Sequence, residues 1–209
     1  MRKIKIFTPF ERFWHWSQML LVFVLTVTGF EIHGNYNLVG YECAVRLHNS
    51  AAWTFIGLGI LSIVYMLSSK QYKNFIPTKE KLGEQIKYYT SGIFKNEPHP
   101  TKKSLYNKLN PLQRIIYVGL LIVVFPVQIF TGLIYMFYHY PQNPADVAGF
   151  KFAAITHTLG AFLMVAFVLV HVYMTTTGHK LTSGIKSMIT GYEEEPLENK
   201  PSEKPENSI

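Results

Sequence analysis

The chain has 209 residues, 48% of them hydrophobic and 15% aromatic, with only 16% charged, a balance too apolar for a soluble domain. The net charge of +7 belongs to the flanks of apolar segments, so it speaks for membrane topology and anionic lipid headgroups and not for nucleic acid. A single cysteine, Cys43, excludes an internal disulfide.

In chain order, the opening MRKIKI precedes a long apolar run. That run exceeds a signal-peptide core and no small-residue cleavage site follows, so it is expected to remain as the first membrane span. A hydrocarbon core of about 30 Å needs about 20 helical residues. Four segments meet that length, at 13–33, 46–68, 113–138 and 152–175. Each should be a helix, because lipid cannot satisfy an open backbone. The loop 69–112 mixes charges with Tyr88, Tyr89 and Phe94, which suits a short amphipathic helix lying on the surface. In the third span Pro126 is expected to kink the helix, and Gln128 is a buried polar residue without an assigned use. Residues 193–209 are charged, proline-containing and poor in apolar side chains, and are expected to be disordered. The fold class is thus an all-α integral membrane bundle of four helices over residues 1–192.

Basic residues set the orientation. Four precede the first span, ten lie from Lys70 to Arg114 and four follow the fourth span, leaving only Arg46 and Lys151 for the other two loops. Both termini and the middle loop are therefore expected on the cytoplasmic side of an inner membrane, with the loops near 34–45 and 139–151 outside.

Four histidines mark the ends of the spans: His15, His48, His157 and His171. An ionisable side chain inside an apolar span is costly and points to a functional site. Any one of these alone reads as an interfacial or capping residue, but the set of four has matching depths. The interval from 157 to 171 gives a rise of about 21 Å, just under four turns, so both imidazoles project from nearly one face of one helix. Depth then pairs His48 with His157 on the outer side and His15 with His171 on the inner side. Two histidines at each level suit two stacked haems, each with two axial imidazoles and no open coordination position, an arrangement for electron transfer. A bare metal site would gather three or four ligands at one depth, which makes a metal transporter the weaker rival. Without a CxxCH motif the haems must be non-covalent and b-type. His33, His99 and His139 fall in loops or at loop edges and are unassigned. His179 follows the fourth span and reads either as a helix-terminal residue or as a contact to quinone or propionate.

Arginines near these levels are candidates for haem propionates, through the planar guanidinium fork. Arg46 is the outer candidate and Arg12 and Arg114 the inner ones, although a basic helix flank explains Arg12 and Arg114 equally well. Gly29, Gly57, Gly132 and Gly160 interrupt the spans, where glycine allows close approach of a macrocycle or of a neighbouring helix. Thr28-Gly29 and Thr131-Gly132 form a faint internal echo, too weak to define a repeat.

The segments ERFWHWSQMLLVFVLTVTGF, RLHNSAAWTFIG, NPLQRIIYVGLLIVVFPVQIFTGL and ITHTLGAFLMVAFVLVHVYMTTTGHK resemble the four-helix dihaem cytochrome b family over residues 8–192. That family includes the b-type cytochrome subunits of nickel-iron hydrogenases, the gamma subunit of formate dehydrogenase, thiosulfate reductase cytochrome b subunits and bacterial cytochrome b561. The resemblance implies a quinone site near the inner haem, at the positions of Asn110, Gln113 and His171. Asn110 before Pro111 is also a good helix N-cap. The implied function is electron transfer between the quinone pool and a redox subunit docked on the outer face. A molybdenum oxidoreductase, a hydrogenase or a multihaem c-type cytochrome would each fit as that subunit. The alternative is a stand-alone cytochrome b561 that takes electrons from a small diffusible donor.

Overall fold

A computed structural model describes residues 2–95, 97, 100–101, 108–138, 144–176 and 182–195. His99, His139, His179 and the tail 196–209 lie outside the described residues. The helices are α1 (Pro9–Ile32), α2 (Tyr41–Ser68), α3 (Leu82–Thr90), α4 (Pro111–Gly119), α5 (Phe125–Phe137), α6 (Pro144–Thr175) and α7 (Ser183–Thr190). Two short strands, β1 (Arg2–Lys5) and β2 (Tyr192–Glu195), and two 3-10 turns, Gln71–Phe75 and Gly92–Lys95, complete the described elements. α4 and α5 run on through a π-helical turn, Leu120–Val124, to form one span, so four helical segments are long and apolar enough to cross a membrane.

Each span starts earlier than the apolar window that announces it, and at α1 and α4 polar residues cap that start. Thr8 starts α1 with a capping box: its hydroxyl accepts from the Glu11 amide at 3.3 Å, and the Glu11 carboxylate accepts from the Thr8 amide at 2.8 Å. Asn110 and Gln113 make the same reciprocal box at the start of α4, followed by Pro111 at the first helical position. Such a cap contributes about 1 kcal/mol. Where α1 turns into α2, the buried Glu31 carboxylate accepts the amides of Leu38, Val39 and Gly40, each at 2.8 Å. A carboxylate there also complements the positive end of α2.

The π-helical turn lies just before Pro126, which has no amide hydrogen to offer the carbonyl four residues back. Widening the preceding turn accommodates the missing bond and the ring, so the disturbance expected at Pro126 takes this form.

The bundle consists of two antiparallel hairpins. α1 packs along α2, and α5 along α6, while backbone approach between the hairpins is sparse. Ala44 and Ala51, two turns apart on α2, are buried where small side chains let helices draw close. Large apolar side chains point outward instead, among them Phe23, Phe130, Leu163 and Leu169. An inside-out distribution of this kind suits a lipid solvent, and the chain is a multi-pass membrane protein.

One end of the bundle carries an additional layer, the ribbon end. β1 pairs antiparallel with β2, setting Arg2 opposite Glu195, Lys3 opposite Glu194 and Ile4 opposite Glu193. The first residues of the expected disordered tail, Glu193–Glu195, are therefore a strand: the acidic run lacks apolar residues of its own, and its partner is the basic N-terminus. Gly191 ends α7 with φ +86°, and a side chain there would also meet the Phe7 carbonyl oxygen, so glycine is required twice over. Arg12 donates to the Ile189 carbonyl and the Trp16 indole donates to Met188, which ties α7 to α1.

The middle segment folds back on the same end, with α3 as the expected surface helix. Lys108, nearly buried, donates its ammonium hydrogens to Glu11 and to Gln71, while Asn74 accepts its amide. Thr8 and Tyr65 share a hydrogen bond of 2.9 Å, and Phe10 stacks on Tyr65 with ring centres 4.1 Å apart. Removing one member of a buried ion pair strands the other, at a typical cost of about 3 kcal/mol. Lys108→Met should lower the thermal unfolding midpoint in detergent by leaving the Glu11 carboxylate unpaired, and Glu11→Gln in the same background should recover part of the loss.

Candidate functional site

Two pairs of imidazoles face each other between the hairpins. At the ribbon end, His15 of α1 and His171 of α6 stand with ring centres 6.0 Å apart and planes at 49°. Toward the opposite end, which carries the α1–α2 turn, His48 of α2 and His157 of α6 stand 6.4 Å apart with planes at 68°. All four are half-buried. Since α6 is continuous, its two histidines are separated by about 21 Å of helical rise.

The spacing within each pair is chemically specific. With metal–nitrogen bonds of about 2 Å on each side and ring centres roughly 1 Å beyond each nitrogen, two imidazoles sharing one metal stand roughly 6 Å apart. Among the described residues, no three or more His, Cys, Asp or Glu side chains converge as a metal cluster would require.

Hydroxyls orient three of the four rings. The Thr28 hydroxyl donates to the Val24 carbonyl at 2.6 Å and lies 3.0 Å from His48 Nδ1. Because its one proton goes to the carbonyl, its oxygen accepts from the ring, and His48 carries its proton on Nδ1. Thr131 repeats this geometry, donating to Val127 at 2.6 Å and lying 3.0 Å from His157 Nδ1. In both rings Nε2 is left with a free lone pair, the form a metal ligand needs. At the ribbon end the Tyr117 hydroxyl lies 3.2 Å from His171 Nδ1, and Phe167 stacks on the same ring at 5.7 Å. His15 Nδ1 is buried without a hydrogen-bond partner among the described residues.

Glycines make room for these contacts. A Cβ on Gly132 would stand 3.1 Å from His157 Cε1, and one on Gly29 would stand 3.4 Å from His48 Cε1. Gly160 accommodates Gln128, whose amide oxygen would overlap a side chain placed there, and that oxygen is buried without a partner. Gly57 faces open space, so its place in the span has no such cause.

The remaining candidates are distributed unevenly. Arg12 lies one turn before His15 and, beside its bond to Ile189, keeps a buried Nε–H without a partner among the described residues. Arg46 is exposed and two residues from His48 on α2, a separation that places the two side chains on different faces of the helix. Arg114 is spent on loop carbonyls, those of Leu109 at 3.1 Å and Ile76 at 3.2 Å. The Asn110 side chain is committed to the cap of α4 and donates to the Tyr89 hydroxyl at 3.0 Å. Burial pushes the Tyr89 phenol up to about 12, an effect that outweighs the opposing bond from Asn110, so Tyr89 stays protonated at neutral pH. His33 caps α1 and lies 3.4 Å from the Thr158 hydroxyl, outside both pairs. Sequence reasoning missed Tyr117, and it noticed Thr28 and Thr131 only as part of a faint echo. The signal was that both Thr-Gly dyads stand on the first helix of a hairpin whose second helix carries a histidine.

A family profile described as prokaryotic cytochrome b561 matches residues 6–191. The chain is 30% identical over 200 residues to the Escherichia coli (strain K12) protein named "Putative cytochrome YdhU", an alignment that covers 91% of this chain and 74% of that one. No solved structure matches the chain significantly. The profile spans both imidazole pairs and all four membrane helices, and the chain belongs to the prokaryotic cytochrome b561 family, membrane b-type cytochromes that transfer electrons.

Proposed function

We propose that the chain is the membrane subunit of a respiratory oxidoreductase, carrying electrons between quinone near its ribbon end and a redox partner at its opposite end. Two b haems would lie between the facing imidazoles, held by His15 with His171 and by His48 with His157. The observation that carries this reading is the pair of roughly 6 Å separations between rings on opposed hairpins, in the gap where the backbones stand apart.

The residues fit the group. Nε2 of His48 and His157 carries the lone pair, their Nδ1–H bonds fix the ring planes, and the glycines beside them leave space for a flat macrocycle. Arg12, one turn from His15, offers its spare Nε–H to a propionate at the ribbon end. Haem, when bound, would supply a one-electron iron couple to the site held by each histidine pair. The continuous α6 sets the separation of the two sites at about 21 Å, roughly two-thirds of the hydrocarbon thickness. Phe167 and Tyr135 pack against the ligand rings and exclude water from them.

Quinone is assigned to the start of α4, where Asn110, Gln113 and Tyr89 meet and Tyr117 reaches His171. The cap leaves the Gln113 amide nitrogen as the donor available to a quinone carbonyl, while Asn110 acts by holding Tyr89 in place. The distribution of basic residues puts the ribbon end in the cytoplasm of a cell with an inner membrane. The partner surface is then the outer end, where a molybdenum oxidoreductase, a hydrogenase or a multihaem c-type cytochrome supplies or receives electrons.

Purified protein should show a reducible b-type spectrum with two haems per chain. His48→Ala and His157→Ala should each remove the same one of them, and His15→Ala and His171→Ala the other; unchanged haem content in any of these ends the proposed pairing. Gly132→Val, which drives a side chain into His157, should reproduce the His157→Ala spectrum. Orientation is read in intact cells with a membrane-impermeant thiol reagent in a Cys43→Ser background. Leu38→Cys should label and Glu80→Cys should not, and the reverse pattern inverts the topology. Isolation of the intact complex under mild detergent should bring an outer redox subunit with it.

A further inference from the structure

We infer that Thr28 and Thr131 are paired positioning residues that set the reduction potential of the haem between His48 and His157, and that the other haem lacks such a threonine pair. The inference rests on the haem reading above. Its basis is the recurrence of one local device on two separate hairpins. In each, a threonine turns its proton back to the carbonyl four residues earlier and presents its oxygen to Nδ1 of a histidine on the next helix. In each, the following glycine lets the imidazole ring lie against the helix. Both threonines are buried, at 4% and 8% exposure, so water does not compete for the bond.

A threonine that bonds its own helix carbonyl is satisfied without any further partner. Each contact of 3.0 Å to a ligand nitrogen therefore serves the imidazole and not the threonine. Accepting Nδ1–H makes an imidazole a stronger electron donor at Nε2, which favours the ferric over the ferrous state and lowers the potential. At the ribbon end the arrangement differs. His171 meets a tyrosine hydroxyl at 3.2 Å, and His15 Nδ1 has no partner among the described residues. The two sites thus share a ligand set and differ in what stands behind it.

The test is a spectroscopic redox titration of the purified, haem-loaded protein, with each haem resolved and its low-spin ferric EPR signal recorded. Thr28→Val and Thr131→Val keep shape and remove the hydroxyl acceptor, leaving the backbone carbonyls of Leu25 and Gln128 beside the rings. Each should weaken the ferric preference of the His48/His157 haem about tenfold, an upward shift of about 59 mV for a one-electron couple, and should move that haem's EPR signal alone. Thr28→Ser and Thr131→Ser should return the wild-type potential. If the valine variants prevent loading while the serine variants load normally, the hydroxyl is still shown to place the ligand. Valine variants with unchanged potentials overturn the inference, as do equal shifts of both haems or serine variants that fail alongside valine. A wild-type protein without a two-haem spectrum would instead remove the haem reading, an outcome distinct from any of these.

Discussion

An imidazole inside a membrane bundle has two nitrogens to satisfy, and the surrounding hydrocarbon offers neither donor nor acceptor. This constraint governs how the hairpins are built. For His48 and His157 one nitrogen is given to a threonine hydroxyl on the neighbouring helix, which leaves the other facing its partner ring. For His171 a tyrosine takes the threonine's place. The partner helix must come close enough to make these bonds, which is why glycine follows each threonine. The hairpins are consequently tight within themselves and open between each other, and the opening holds the facing rings.

The two ends of the bundle are stabilised by different means. At the ribbon end, contacts at the margin of the apolar zone join segments far apart in the chain: Lys108 to Glu11, Arg12 to the Ile189 carbonyl near the end of α7, and β1 to β2. At the opposite end a single carboxylate, Glu31, gathers three consecutive amides and so fixes the turn from α1 to α2. The first design anchors a layer of loop and short helix beside α4. The second leaves a compact turn with Leu38 and Tyr41 exposed.

Much of this was legible in the chain, and the reason is period. Twenty or so apolar residues announce a span whatever its neighbours do, and an interval of fourteen places two side chains on one face of any helix. The four spans and the depths of the four histidines follow from those facts alone. What lay hidden depended on contacts between distant segments. Glu193–Glu195 looks unstructured until Arg2–Lys5 lies beside it. Asn110 was legible both as a cap and as a ligand contact, and the bonds to Gln113 and Tyr89 show how the cap engages it.

By itself the sequence determined that this protein lives in a membrane, crosses it four times and carries ionisable rings at two depths, because hydrophobic length and helical period are local properties of a chain. Only the tertiary structure decided which group stands behind each imidazole, which arginine keeps a spare donor near a ring, and that the acidic tail begins as a strand. Those outcomes depend on hydrogen bonds of about 3 Å between helices. A few residues' difference in register would have made or broken them without leaving any trace in composition or spacing.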